Sequence, residues 1–226
     1  MRISKIIRCL PQVPACYRDS KKYEHVDLET AYARCQVWSR RALDAMGYRL
    51  KVSGLENAED KHGVLFVSNH QGTLDPVLIL ASCPVPLSFI SKKENESLPL
   101  LGRWATDIQS IHFDRETREG NVHMLRETMR YLRAGKNLLL FAEGTRSKSD
   151  QMNPFKKNSL QAAVMSRATI VPVTLNFAYD LGGAKEAHRV LKIHYGTPIT
   201  YQDYREKDEA QLRLYVQAKI EQYIEH

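Results

Sequence analysis

Cysteine is scarce in this sequence, with four residues in 226, at Cys9, Cys16, Cys35 and Cys83. They are scattered, without a Cys-x-x-Cys pair or a histidine at zinc-ligand spacing, so neither a disulfide framework nor a zinc module is expected. They read as reduced thiols of a cytosolic compartment, small apolar residues with no chemistry of their own. Long hydrophobic runs are missing too. No stretch reaches the ~18 apolar residues of a membrane-spanning helix. The longest, Val77 to Leu87, is interrupted by Ser82, Pro84 and Pro86. The first ten residues carry Arg2, Lys5 and Arg8 among their apolar positions and no small-residue cleavage site, so a signal peptide is not expected. Internal repeats and low-complexity tracts are likewise absent.

What is present describes an ordinary globular chain. Hydrophobic residues make up 43% and charged residues 26%, a balance that excludes a disordered protein. At about 150 residues per domain, the length suits one large domain or a domain with a small appendage. A chain of this size buries roughly 70% of its unfolded surface and needs no covalent staple. The formal net charge of +7 points to an anionic partner: nucleic acid, a membrane surface or a phosphorylated substrate. No zinc finger, base-reading basic helix or ribonucleoprotein aromatic motif occurs, so nucleic acid is not expected.

Two regions differ in pattern. Residues 1–48 read as helical. Ile3, Ile6, Ile7 and Leu10 follow helical spacing with basic residues between them, and Pro11 stops the run. This basic amphipathic segment suits a membrane interface, and equally a short helix docked on the protein body. A longer helix follows, with Leu28, Ala31, Cys35, Trp38, Ala42 and Met46 on one stripe and Gly47 as its stop. Packing on the core is the simpler reading of that stripe. From residue 49 to 226, strand and helix signals alternate. Strands are expected at 49–52, 64–67, 87–90, 108–113, 138–141, 170–177 and 190–195. Helices are expected at 75–81, 98–106, 119–134, 159–166 and 208–224, with Val122, Leu125, Met129 and Leu132 inward in the third. The pattern predicts an α/β fold, a mixed and largely parallel sheet flanked by helices. In such sheets ligand groups collect at the carboxyl ends of the strands.

Four groups of chemistry-bearing residues fall at those ends. Val64–Val67 leads into Asn69-His70, and Asp75-Pro76 opens the next helix five residues later. An imidazole is suited to take a hydroxyl proton near neutral pH, and a carboxylate on its other nitrogen would fix the tautomer. Asp before Pro is also a common helix start, with Asp at the N-cap, so the pair alone is a weak signal. Next, the apolar strand ending at Phe141 gives way to Glu143-Gly144-Thr145-Arg146. Arg146 suits a bidentate grip on phosphate, Gly144 permits close backbone approach, and Thr145 offers a hydroxyl donor. The plain alternative is a turn with a surface salt bridge. Phe113-Asp114-Arg115 places another arginine past a strand. In Ile170-Val171-Pro172-Val173, the proline implies a sheet edge or a bulge rather than the middle of a sheet.

Taken in order, Asn-His-x4-Asp-Pro, Phe-Asp-Arg, Glu-Gly-Thr-Arg-Ser and Ile-Val-Pro-Val resemble the four motifs of the glycerolipid acyltransferase superfamily over about residues 49–200. The nearest type is similar to the bacterial 1-acyl-sn-glycerol-3-phosphate acyltransferases. The resemblance implies transfer of a fatty-acyl chain from acyl-coenzyme A or acyl-carrier protein to lysophosphatidic acid, giving phosphatidic acid, with no metal or cofactor. It implies His70 as general base and Asp75 as its orienting partner. Arg115 and Arg146 would grip the acceptor phosphate, with Glu143, Gly144 and Thr145 at the acceptor site and Pro172 on the acyl side. It also implies a peripheral protein on the cytoplasmic face of the cell membrane, with residues 1–48 as the membrane element and 49–226 as the acyltransferase domain. Glycerol 3-phosphate or another lysolipid is the alternative acceptor, and a non-catalytic lipid-binding relative the alternative role. Two positions depart from the family pattern: Gly72, where serine is frequent, and His112, where an apolar residue usually precedes the phenylalanine.

Overall fold

The computed structural model describes residues 7–22, 26–98, 100–179 and 189–226. Its centre is a seven-stranded sheet. In chain order the strands are β1 (Arg49–Ser53), β2 (Leu65–Ser68), β3 (Leu87–Lys92), β4 (Ile111–Phe113), β5 (Asn137–Phe141), β6 (Ile170–Asn176) and β7 (Val190–Tyr195). They lie in the order β1-β7-β6-β2-β5-β3-β4. Every neighbouring pair is parallel except β6 and β7. β2, β5 and β6 are apolar at nearly every position because both faces of the central strands are covered.

The helices among the described residues are α1 (Val13–Lys22), α2 (Leu28–Met46), α3 (Asp75–Ser82), α4 (Leu101–Asp107), α5 (Arg118–Arg133), α6 (Gln161–Ser166), the single turn α7 (Tyr201–Tyr204) and α8 (Glu209–Glu221). They divide between the two faces. Phe66, Leu139, Val171 and Val173 pack with Tyr32 and Cys35 of α2, Leu78 and Ile79 of α3 and Trp104 of α4. The residues alternating with them, Leu65, Val67, Leu138 and Ile170, pack with Leu132 of α5, Ala163 of α6 and Leu212, Val216 and Ile220 of α8. The period of two along each strand thus builds two cores, one on each side.

Helix α2 begins at Asp27, whose carboxylate accepts from Thr30 N at 2.8 Å, and ends on Gly47 at φ +75°. Gln36 Nε2 and Arg40 Nε donate to the carbonyls of Cys83 and Ala81 at the end of α3. This satisfies carbonyls that the short helix leaves open. The expected stripe holds at Ala31, Cys35 and Met46, which are buried, with Tyr32, Ser39 and Leu43 beside them. Of the basic N-terminal run, Ile3 and Ile6 lie outside the described residues, while Ile7 and Leu10 are exposed. No described helix is long and apolar enough to cross a membrane.

Three expectations need correction. The strand expected over 108–113 is three residues long, because Ile108 and Ser110 still close α4 through hydrogen bonds to Trp104 O and Ala105 O. In α5, Val122 is exposed and the inward positions are Thr128 and Leu132, with Met124 and Tyr131 against them. That stripe is set by how the helix rolls on β4 and β5, which its own periodicity leaves undetermined over one turn. Pro172, expected at a sheet edge or bulge, lies in an interior strand between β2 and β7. Its missing N–H does no harm there. On the β7 side, Ile170 exchanges hydrogen bonds with Ile199 and Pro172 O accepts from Gly196 N. The chain between Gly196 and Ile199 steps away from the ladder where a proline donor would have been needed.

Candidate active site

Five parallel strands, β2, β3, β4, β5 and β6, end on one side of the sheet, and the loops leaving them form the site. The loop after β2 carries His70, which is one-fifth exposed, and the helix that follows opens on Asp75, which is fully buried. His70 Nδ1 lies 2.7 Å from Asp75 Oδ2. A carboxylate accepts only, so the Nδ1 hydrogen points to Asp75, and in the neutral ring the lone pair is then on Nε2. The ring stacks on Phe141 at the end of β5, with centroids 4.1 Å apart and planes at 18°. Stacking and hydrogen bond together fix both angles of the imidazole.

Asp75 does not cap α3. It is the first helical residue, Leu74 holds the N-cap position, and Pro76 follows in the first turn. Its Oδ2 accepts from His70 and from Gly72 N at 2.9 Å, and its buried Oδ1 has no partner among the described residues. Burial pushes the Asp75 carboxyl above its usual range, against the pull of the His70 and Gly72 hydrogen bonds.

Glu143 is also fully buried. Its Oε1 accepts from His70 N at 2.7 Å and its Oε2 from Asn153 N at 2.8 Å, so one side chain ties the loop after β2 to the loop after β5. Burial raises its carboxyl, and these two N–H donors oppose the shift. Further backbone bonds run between the same loops, from Ser147 N to His70 O at 2.7 Å and from Lys148 N to Gln71 O at 3.2 Å.

Arg115, at the end of β4, donates from Nη1 to Gly144 O. Arg146 Nη1 donates to Thr73 Oγ1 at 2.6 Å. Both arginines therefore bond to residues of the His70 and Glu143 loops, and both remain exposed. Gly144 takes φ +70°, a conformation that glycine adopts without strain. Thr145 is exposed, with no hydrogen bond among the described residues. Pro172 stands apart. It pairs with Val67, three residues before His70, and walls a cavity shared with Gly196, Tyr215 and Tyr223, which none of the other expected site residues lines.

Several contributors carry no role in the sequence reading. Asn69 is buried, giving Nδ2 to Leu175 O at 2.9 Å and accepting Leu175 N at 2.8 Å, so it docks the His70 loop on β6. A polar residue at the end of an apolar strand is the signal that marks it. Lys92, at the end of β3, pairs with Glu94 at 2.7 Å, and Arg115 bears electrostatically on both. The departure at Gly72 has a steric cause, since a Cβ there would lie 2.3 Å from Ala178 O. His112 sits beside Ser91 in the β3–β4 ladder, and both its ring nitrogens are buried without a partner among the described residues. Nothing in the structure explains a histidine at that position.

Comparison with known proteins places the chain in a family. The acyltransferase family model matches residues 49–176. The 1-acyl-sn-glycerol-3-phosphate acyltransferase of Limnanthes douglasii is 29% identical over 163 residues, covering 70% of this chain and 57% of that protein. The protein of that name from Neisseria gonorrhoeae is 32% identical over 146 residues, covering 65% of this chain and 56% of its own length. The chain thus spans little more than half of either relative. The crystal structure of the 1-acyl-sn-glycerophosphate acyltransferase from Thermotoga maritima superposes with a TM-score of 0.74 at 24% identity, covering 97% of this chain and 96% of that one. The likeness shows a shared fold.

Proposed function

This chain belongs to the acyltransferase family, and from that premise we propose that it acylates the free hydroxyl of 1-acylglycerol 3-phosphate to give phosphatidic acid. The observation that carries the reading is the 2.7 Å contact of His70 Nδ1 with a fully buried Asp75, flanked by two exposed arginines bonded to the same loops. His70 Nε2 takes the proton of the acceptor hydroxyl as the oxygen attacks the thioester carbonyl. Asp75 stabilises the imidazolium that forms. The tetrahedral intermediate collapses, the carbon–sulfur bond breaks, and the departing thiolate takes the proton back from His70. Arg115 and Arg146 hold the acceptor phosphate, which makes the attack effectively intramolecular.

The names of the relatives support lysophosphatidic acid as acceptor. The paired arginines favour a phosphate-bearing acceptor over a neutral one. The donor is acyl-coenzyme A or acyl-carrier protein, and the reaction takes place on the cytoplasmic face of the cell membrane. The exposed Ile7, Leu10, Val13 and Tyr17, set among Arg8, Arg18, Lys21 and Lys22, support an interfacial contact by the N-terminal region. The test offers purified protein radiolabelled acyl-coenzyme A or acyl-carrier protein with lysophosphatidic acid or glycerol 3-phosphate. Labelled phosphatidic acid is expected from the first acceptor. Product from glycerol 3-phosphate alone would move the acceptor assignment, and no product from either would refute the activity.

A further inference from the structure

The segment after the Glu143–Arg146 turn is held in place from several sides. Phe155 is buried in the core beside α8; its N–H donates to Gln217 Oε1 at 3.3 Å and its carbonyl accepts from Arg213 Nη1 at 3.0 Å. Lys156 N donates to Ala142 O at 2.9 Å, and Asn153 N is bound by Glu143. The backbone of Lys156 is thereby fixed to the end of β5.

Its side chain follows a defined course as well. A Cβ built on Gly144 would stand 3.0 Å from Lys156 Cγ and 3.4 Å from Cε. The methylene stem of Lys156 therefore lies lengthwise over the bare face of Gly144, whose carbonyl holds Arg115. Arg146 is two residues further on. Lys156 is exposed, and among the described residues its ammonium makes no ion pair. The nearest carboxylate in sequence, Glu143, has both oxygens occupied by backbone N–H groups. Arg115, Arg146 and the stem of Lys156 thus all meet the 143–146 turn, and among the described residues none of the three is in an ion pair, although Glu94 bears electrostatically on Arg115. Such an arrangement is unfavourable when empty and favourable around a phosphate, whose charge reaches about −2 for a monoester near neutral pH.

We propose that Lys156 is a third phosphate-binding residue of the site, laid across Gly144 so that its ammonium joins Arg115 and Arg146 on a substrate phosphate. The inference rests on the acyl-transfer reading above. The phosphate belongs either to the acceptor or to the coenzyme A or phosphopantetheine portion of the donor. Steady-state kinetics of Lys156→Gln, with acceptor and donor varied separately, distinguish the two. KM for one of them should rise about tenfold, as expected for loss of one charge-assisted hydrogen bond, with kcat changed less than about twofold. Lys156→Arg should restore most of the loss, and Lys157→Gln, at the neighbouring exposed lysine, should leave both KM values unchanged. Unchanged KM values in Lys156→Gln overturn the proposal, as does an equal effect from Lys157→Gln. If the wild type transfers no acyl group, the functional reading fails, and Lys156 is judged instead by thermal unfolding. Stabilisation by glycerol 3-phosphate that is lost in Lys156→Gln then supports the assignment, and equal stabilisation of both proteins overturns it.

Discussion

His70 and Asp75 are unequal partners. The imidazole is partly open to solvent, stacked on Phe141 and held through Nδ1, whereas the carboxylate is wholly buried with one oxygen unpartnered. Replacing His70 by Ala removes the base, and kcat should fall at least ~10²-fold in the acyl-transfer assay. Activity within a few-fold of wild type would remove His70 from that role. Asp75 links activity to stability with opposite signs. Burial raises its folded carboxyl, so the protonated form favours the native state. Its contribution to stability is full below the ordinary aspartate value of about 3.9 and is lost as pH rises through the raised folded value. Asp75→Asn should therefore lose activity yet unfold at or above the wild-type Tm at neutral pH. That advantage should shrink as the pH is lowered through the carboxylate range. A Tm deficit at neutral pH that closes on acidification would reverse the sign. The residues themselves were legible as a histidine just past a strand and an aspartate opening the next helix. Whether Asp75 would cap the helix or face the histidine was not, because Asp-Pro serves both purposes and only the packing of Gly72 and His70 beside it selects one.

The elements were readable for the same reason that their orientation was not. Continuous apolar runs mark β2 and β5, and an alternating pattern marks β7, within a residue of their observed ends, since local composition and burial coincide there. The roll of α5 and the interior place of Pro172 depend on neighbours distant in sequence: β4 and β5 for the helix, and the chain from Gly196 to Ile199 for the proline. Gly72 belongs to this scale as well. It marks where the chain leaving β6 passes over the loop carrying His70, and that passage leaves no room for a side chain. Phe177, just before it, is held at φ +68°, a costly conformation for a bulky residue, so this crossing has little slack. Gly72→Ala must displace the backbone at Ala178 and should cost about 1–3 kcal/mol, read as a lower urea midpoint. It should also reduce kcat by disturbing His70. An unchanged midpoint would show that the contact relaxes freely.

Across the whole molecule, a surplus of seven positive charges accompanies a scatter of exposed apolar side chains: Ile7, Leu10, Val13 and Tyr17 near the start, and Leu98 and Leu101 before and within α4. Arg103 of α4 lies over the Tyr17 ring of α1, which brings the two groups near one another. If this side meets a membrane, binding to vesicles containing anionic lipid should weaken severalfold between about 50 and 500 mM salt, as electrostatic attraction is screened. The double substitution Leu10→Glu, Val13→Glu should weaken it further in co-sedimentation. Binding indifferent to both changes would place the contact elsewhere. The amino-acid sequence alone determined the alternation of strands and helices, the placing of His70, Arg115, Glu143 and Arg146 just past strand ends, and Asp75 at the start of the next helix. These are local properties, set by side-chain period and by where apolar runs stop. The tertiary structure alone decided the strand order with β7 antiparallel to β6, the turning of Asp75 toward His70, and the use of Glu143 as an inward tie between two loops. Each of these depends on contacts between segments far apart in the chain, which only the folded packing brings within hydrogen-bonding distance.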